Sequence, residues 1–170
     1  MPSGTPPLLY LDQNYLSGIV KGKPVFRELE PMLRAAVERG AVLVPASPVH
    51  EIESAPRPEL GVLELLSGLS HGRRLPETPG PEEREIERRL EETIKREHPA
   101  RRPRASDELD LRALALALPR CRLITCDAFM ADVIMRTRLD RRYGVELYSG
   151  RVADVRALRR RLAALPGRPA

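Results

Sequence analysis

The chain has 170 residues, 42% of them hydrophobic, which suffices for one domain with a core of ordinary size. Its 29 Lys and Arg residues outnumber its 24 Asp and Glu residues, so the formal net charge is +5, which favours a polyanionic partner. No apolar run approaches the roughly 20 residues that a membrane-spanning helix needs, so we expect no membrane partner.

Cysteine usage and the N-terminus predict a cytoplasmic protein. Cys121 and Cys126 are the only cysteines, and the short extended run between them would hold them too far apart for a disulfide. This pattern indicates a reducing compartment. The N-terminal stretch MPSGTPPLLYLDQ also lacks the basic start and long apolar core of a secretory signal peptide.

Strand and helix signals alternate in the first half of the chain. Residues 8–11 are apolar at every position, which favours a strand covered on both faces, as in a parallel sheet. Residues 24–40 predict a helix, because apolar side chains recur there at helical spacing. Residues 41–45 predict a second strand, and a helix capped by Ser47 follows it. A further short helix is expected over residues 59–69.

The second half begins with a long helix that is almost entirely charged, PEEREIERRLEETIKREH, residues 81–98. Its apolar positions, Ile86, Leu90 and Ile94, form only a thin seam. We therefore expect this helix to project from the body of the protein or to lie lightly on it. With the Arg-rich turn that follows, it makes residues 81–105 a charged helical insertion.

The remaining elements complete an alternating order. A helix is predicted up to Leu118, the stretch CRLIT predicts a buried strand, and another helix begins after Asp127. The stretch VELYS predicts a last strand, and an amphipathic helix closes the chain. Because each parallel crossover needs a helix, this order predicts the α/β class with a parallel sheet in one domain, residues 1–170.

Carboxylates stand near the ends of the predicted strands. Asp12 follows the first strand, Glu51 lies in the first helical turn after the second, and Asp127 follows CRLIT. Asp107 and Asp110 begin the helix before CRLIT. Ligands of open parallel sheets bind at the carboxyl ends of strands.

Any one of these acids, taken alone, is explained as a helix cap or as a favourable charge in a first helical turn. Three that arrive from separate strand-helix units favour a shared site. Clustered carboxylates raise one another's pKa unless a cation neutralises them, so the pattern indicates Mg²⁺ or Mn²⁺ with oxygen ligands.

Other chemistries have little support in the sequence. His50, His71 and His98 lack the spacing of a zinc site, so we interpret each as a surface or hydrogen-bonded histidine. The glycine-rich phosphate-binding motifs are absent from the sequence. A phosphotransfer site would need a second Asp two residues after Asp12, but the residue at that position is Asn14.

Three stretches resemble the motifs of the PIN-domain ribonuclease family. They are LLYLDQN, VLVPASPVHE and DELDLRALALALPRCRLITCDAFM, and the resemblance covers roughly residues 8–148. It implies a three-layer sandwich with a central, mainly parallel sheet of four to five strands, to which the charged helical insertion is added.

The resemblance also implies a site. Asp12, Glu51, Asp110 and Asp127 would be the catalytic acids, and all of these except Glu51 would bind the metal directly. Asn14 and Thr125 would support them. Asp107 lies one turn before Asp110 and would share its role or replace it. Glu53 is the rival of Glu51, but two residues further on it points to another side of the helix.

Basic residues near two of these acids are candidates for RNA contact. Arg101, Arg102 and Arg104 precede the third acid, and Arg138 and Arg142 follow the fourth. Arginines on helix surfaces also serve solubility and ion pairing, and that alternative stays open.

The implied activity is that of a metal-dependent endoribonuclease that leaves 5′-phosphate and 3′-hydroxyl ends. The family likeness adds a role as the toxin of a toxin-antitoxin pair, with an antitoxin protein over the acidic pocket, and a homodimer. The alternative is a catalytically faded binding module that acts through protein or RNA contacts, with the seam of the charged helix as its surface.

Overall fold

The computed structural model describes residues 5–167. Residues 1–4, which belong to the stretch without a signal-peptide pattern, and residues 168–170 lie outside the described part of the chain. Within the described part, a short 3₁₀ turn spans Pro58–Leu60. The strands are β1 (Leu9–Tyr10), β2 (Leu123–Thr125) and β3 (Glu146–Tyr148), and the helices are α1 (Gln13–Val20), α2 (Pro24–Glu38), α3 (Pro48–Ser54), α4 (Val62–Ser70), α5 (Pro81–Glu97), α6 (Asp107–Ala117), α7 (Ala128–Thr137), α8 (Leu139–Tyr143) and α9 (Val152–Ala164).

The three strands form one parallel sheet in the order β1-β2-β3. Leu9 is opposite Leu123 in the first pair, and Leu123 is opposite Glu146 in the second. The central strand β2 therefore has a partner on each side, and the carboxyl ends of all three strands lie at one edge of the sheet.

The predicted sandwich with four to five strands is wrong. The chain is about 60% helical and its sheet has three short strands. The predicted strand over residues 41–45 forms only an isolated bridge, between Leu8 and Leu43. Pro7 and Pro45 have no N–H to donate, so a longer ladder with this segment would lack hydrogen bonds.

Both faces of the sheet are covered, as the apolar run of residues 8–11 predicts. Leu9, Leu11 and Leu123 belong to one core cluster, which α1, α2, α4 and α9 complete. Tyr10 and Ile124 point to the other face and belong to a second cluster with α5, α6 and α7. The prediction of a strand buried on both sides is confirmed.

Helix α5, the predicted charged helix, packs against α6 and α7. Ile86 is 2% exposed, and Leu90 has no exposed surface. At the first turn Glu83 is buried and forms an ion pair with Arg120. The prediction that this helix projects or lies lightly on the body is therefore wrong. Ile86 and Leu90 of its apolar seam are therefore buried within this chain, while Ile94 is partly buried.

Two further features are the hydrophobicity of the helices and the state of the cysteines. None of the helices within residues 5–167 is long and apolar enough to span a bilayer. Cys121 and Cys126 are free thiols, and both are buried.

Helix α5 should contribute to the stability of the whole fold. We expect Leu90→Ala to lower the free energy of unfolding by about 2–5 kcal/mol, because it leaves a cavity between α5 and α6. Urea denaturation followed by circular dichroism measures this change.

The matched control is Leu63→Ala, the same substitution on α4 at a side chain that is 39% exposed. It should cost about 1 kcal/mol or less. Equal losses in the two variants would contradict the tight packing of α5.

Candidate active site

Asp12 and Asp127 stand just beyond the carboxyl ends of β1 and β2. Each is the N-cap of the following helix: the backbone N–H of Tyr15 donates to Asp12 Oδ1 at 3.3 Å, and that of Met130 donates to Asp127 Oδ1 at 2.7 Å. Because β1 and β2 are paired neighbours, their ends bring these two acids to the same edge of the sheet. Asp12 and Asp127 therefore each cap a helix and also lie at the same edge of the sheet.

Two further carboxylates, Glu53 of α3 and Asp110 of α6, complete the group. Together with Asp12 and Asp127 they line a cavity of about 290 Å³. The exposed amide of Asn14 lies at the same cavity. Four separate segments of the chain thus place acids around one space.

Burial and mutual repulsion raise the pKa values of three of these acids. Burial, followed by the charge of Asp127, raises the pKa of Asp110 to about 6. Burial raises the pKa of Asp12 to about 6, although hydrogen bonds from Thr125 and Tyr15 oppose the shift. For Glu53, burial and then the charges of Asp110 and Asp12 raise the pKa to about 7. Such shifts are characteristic of groups crowded in a site without a compensating cation.

Thr125 connects Asp12 to the neighbouring strand. Its hydroxyl donates to Asp12 Oδ1 at 2.7 Å and accepts the Asp12 backbone N–H at 2.8 Å. The last residue of β2 therefore fixes both the backbone and the side chain of Asp12.

The structure brings Glu53, and not Glu51, to the acids. Glu51 is exposed, forms an ion pair with Arg74 at 2.8 Å and lines a different cavity. Glu53 lies one turn after the buried Val49 and so shares its inward face. That spacing is the signal in the sequence that would have selected Glu53. The assignment of Glu51 to the site is corrected accordingly.

Asp107 lies outside the acid cavity and is paired with Arg101. The two side chains form hydrogen bonds of 2.5 and 3.0 Å, and these hold the pKa of Asp107 below its usual value. The guanidinium of Arg101 also lies 4.0 Å from the centre of the Phe129 ring. Asp107 and Arg101 thus pair with each other, and neither is among the residues that line the acid cavity.

The other candidate arginines divide into two groups. Arg104 is exposed and lines the acid cavity. Arg102, two residues before it in the chain, is also exposed. Arg138 and Arg142 follow the far end of α7, about 15 Å of helix away from Asp127. The structure therefore places Arg104 at the acids and places Arg138 and Arg142 elsewhere.

Gln13 is a residue of the cavity that sequence reasoning missed. Its Nε2 donates to Ser54 at 3.2 Å, and its Oε1 is buried and finds no hydrogen-bond partner among residues 5–167. An unsatisfied buried acceptor beside carboxylates suits a ligand or water that donates hydrogen bonds.

The oxygen donors of the cavity are the ligands that Mg²⁺ and Mn²⁺ prefer. Within residues 5–167, no three His, Cys, Asp or Glu side chains are grouped closely enough to hold a metal ion among them. Mg²⁺ usually keeps several waters and binds through one or two carboxylates. The raised pKa values and the unsatisfied Gln13 Oε1 fit a hydrated divalent ion with few direct ligands.

Comparison of the chain with protein-family models, with curated proteins and with solved structures gives no match.

The acid cavity should make the stability of the metal-free protein depend on pH. Asp12, Glu53 and Asp110 have folded pKa values above their ordinary values of 3.8 to 4.5. Their contribution to the free energy of unfolding is therefore complete below about pH 4 and is lost as the pH rises through about 6 to 7. Asp110→Asn removes one repelling charge and should raise the free energy of unfolding at about pH 8 by about 1–2 kcal/mol, after discounting for solvent screening.

Urea denaturation in EDTA, at about pH 8 and about pH 4, measures this effect, which should vanish at the lower pH. The matched control is Asp107→Asn, the same change one turn away. It breaks the pair with Arg101 and should lower the stability at the higher pH. Destabilisation by Asp110→Asn at that pH would contradict the repulsion.

Proposed function

We propose that this chain is a divalent-metal-dependent endoribonuclease of the PIN-domain kind. The observation that carries the proposal is the convergence of Asp12, Glu53, Asp110 and Asp127 on one cavity, with three of their pKa values raised. The order of the three PIN-like motifs supports the same reaction, with Glu53 in the place first given to Glu51.

One or two of Asp12, Asp110 and Asp127 would bind Mg²⁺ or Mn²⁺ directly, and the remaining acids of the cavity would contact the ion through its waters. When bound, such an ion lowers the pKa of a water ligand and offsets the charge that grows on the scissile phosphate. Thr125 keeps the carboxylate of Asp12 in one orientation through its hydrogen bond to Oδ1. With a divalent ion bound, Asp12 and Asp110 would be relieved of this repulsion and would be ionised.

Glu53 is the general base of the proposed reaction. Burial, followed by the charges of Asp110 and Asp12, raises its pKa to about 7 in the metal-free protein, and a cation beside those acids would leave Glu53 ionised and able to accept a proton from the attacking water. The amide of Asn14 and the guanidinium of Arg104 line the same cavity and would donate to phosphate oxygens. The buried Oε1 of Gln13 accepts from a water at the site and helps to orient it.

The partners and setting of this reaction are part of the proposal. RNA is the substrate, and the net charge of +5 favours its approach. The two free thiols suit a reducing cytoplasm. An antitoxin over the acid cavity and a homodimer stay predictions of the family resemblance. The binding-module alternative has less surface to use on α5, because Ile86 and Leu90 of its seam are buried within the chain and Ile94 is partly buried.

The acid residues should be needed for cleavage of RNA. We expect the wild type to cut a panel of single-stranded and structured RNAs with Mn²⁺ or Mg²⁺ and to leave 5′-phosphate ends. EDTA should abolish this cleavage. Asp12→Asn, Asp127→Asn and Glu53→Gln should each lower kcat by about 10²–10⁴-fold. Asn is itself a good N-cap, so the two Asp variants should keep their helices.

Glu51→Gln is the matched control for Glu53→Gln, since Glu51 pairs with Arg74 at the surface. It should keep activity within about threefold of the wild type. A wild type that is inert with both metals, or equal losses in the two Glu variants, would refute the proposed site.

Arg104 should contribute to substrate binding. Arg104→Ala removes a cation from the cavity and should raise KM by about 5–10-fold, with a weaker effect at high salt. Arg138→Ala, at the far end of α7, is the control and should leave KM unchanged. Equal effects of the two variants would show that RNA is held by overall charge and not at the cavity.

A further inference from the structure

His50 is a buried histidine with both ring nitrogens in hydrogen bonds. The backbone N–H of Ser47 donates to Nδ1 at 3.0 Å, and Nε2 lies 2.6 Å from the backbone oxygen of Leu11. The ring stacks on Tyr10 with a centroid separation of 5.2 Å. At the start of α3, His50 takes the capping position that Glu or Gln usually occupies.

The two partners determine the protonation state of the ring. Nδ1 accepts a hydrogen bond, so it carries no proton, and Nε2 must therefore be the N–H that donates to Leu11. Burial lowers the pKa of His50 to about 4, which agrees with a neutral ring. His50 is thus a fixed neutral donor near neutral pH.

The bond from His50 acts on the peptide group that precedes Asp12. His50 binds the oxygen of the Leu11–Asp12 peptide, and the hydroxyl of Thr125 binds its N–H at 2.8 Å. A peptide group held at both ends cannot rotate about its flanking bonds. The direction in which the Asp12 side chain leaves the backbone is therefore fixed from two sides.

The same ring connects two of the acids. His50 lies in α3, one turn before Glu53, and its bond to Leu11 ties that helix to the end of β1. The bond to Ser47 fixes the start of α3. One side chain therefore sets the position of α3, which carries Glu53, relative to Asp12.

We propose that His50 is a positioning residue, whose Nε2–H bond to the Leu11 oxygen orients Asp12 and holds Glu53 opposite it. This inference builds on the proposed ribonuclease function. Groups that orient metal-binding side chains typically contribute 10–100-fold to activity or metal affinity.

Two isosteric variants separate this role from helix capping. In His50→Gln the side-chain nitrogen reaches the place of Nε2 and keeps the donor to Leu11, but the acceptor for Ser47 is lost. In His50→Asn the side-chain oxygen takes the place of Nδ1 and keeps the cap, but the bond to Leu11 is lost. Both variants remove the stack on Tyr10 alike.

The experiment measures kcat, KM and Mn²⁺ affinity for the wild type and both variants, with thermal unfolding as a check on folding. We expect His50→Asn to lose about 10–100-fold in kcat with little change in KM, while His50→Gln keeps most of the activity. Mn²⁺ affinity, from the relaxation of water protons, should follow the same order. Equal kcat and affinity in the two variants, or a greater loss in His50→Gln, would overturn the proposal.

The affinity for Mn²⁺ separates the proposed role of His50 from the proposed ribonuclease function. If the wild type cuts no RNA but His50→Asn binds Mn²⁺ more weakly than His50→Gln, the reaction is refuted and the positioning role stands. If the wild type neither cuts RNA nor binds Mn²⁺, both proposals fall. Failure of His50→Asn to fold would also overturn the inference, since the bond to Leu11 would then stabilise the fold instead of orienting Asp12.

Discussion

The parallel pairing of β1 with β2 is the interaction around which the acid cavity is assembled. It places Asp12 and Asp127 beyond two adjacent strand ends, and the hydroxyl of Thr125 joins the two strands at that point. Helices α3 and α6 then add Glu53 and Asp110 from outside the sheet. A sheet of three short strands is sufficient for this, because only the end of each strand contributes to the site.

Local patterns in the sequence account for part of this arrangement. Asp12 and Asp127 follow buried apolar runs directly, and a position next to a strand end depends on few residues. Glu53 depends on the rotation of α3, which is set by the packing of Val49 and His50 into the core. Whether Glu51 or Glu53 faces the acids is decided by that packing, so a comparison with a family motif alone selected the wrong one.

The extent of the sheet and the position of α5 were harder to predict. Residues 41–45 have strand-like composition, but prolines on the paired segments limit the ladder to a bridge. Helix α5 has few apolar side chains, yet Ile86 and Leu90 are buried in the cluster to which α6 and α7 contribute. Two well-placed apolar side chains, with the ion pair of Glu83 and Arg120 at the first turn, are enough to bind a mostly charged helix to the body of the protein.

The capping bonds of the two strand-end acids restrict the denticity with which a cation can be bound. Asp12 Oδ1 already accepts hydrogen bonds from Thr125 and Tyr15, and Asp127 Oδ1 accepts one from Met130. The two acids differ in this respect, because Oδ1 of Asp12 has both lone pairs engaged while Oδ1 of Asp127 accepts a single bond. Ca²⁺ often takes carboxylates through both oxygens and expands to seven or eight ligands, whereas Mg²⁺ keeps an octahedral shell with waters. The helix caps thus restrict Asp12, more than Asp127, in contacting a cation through both oxygens.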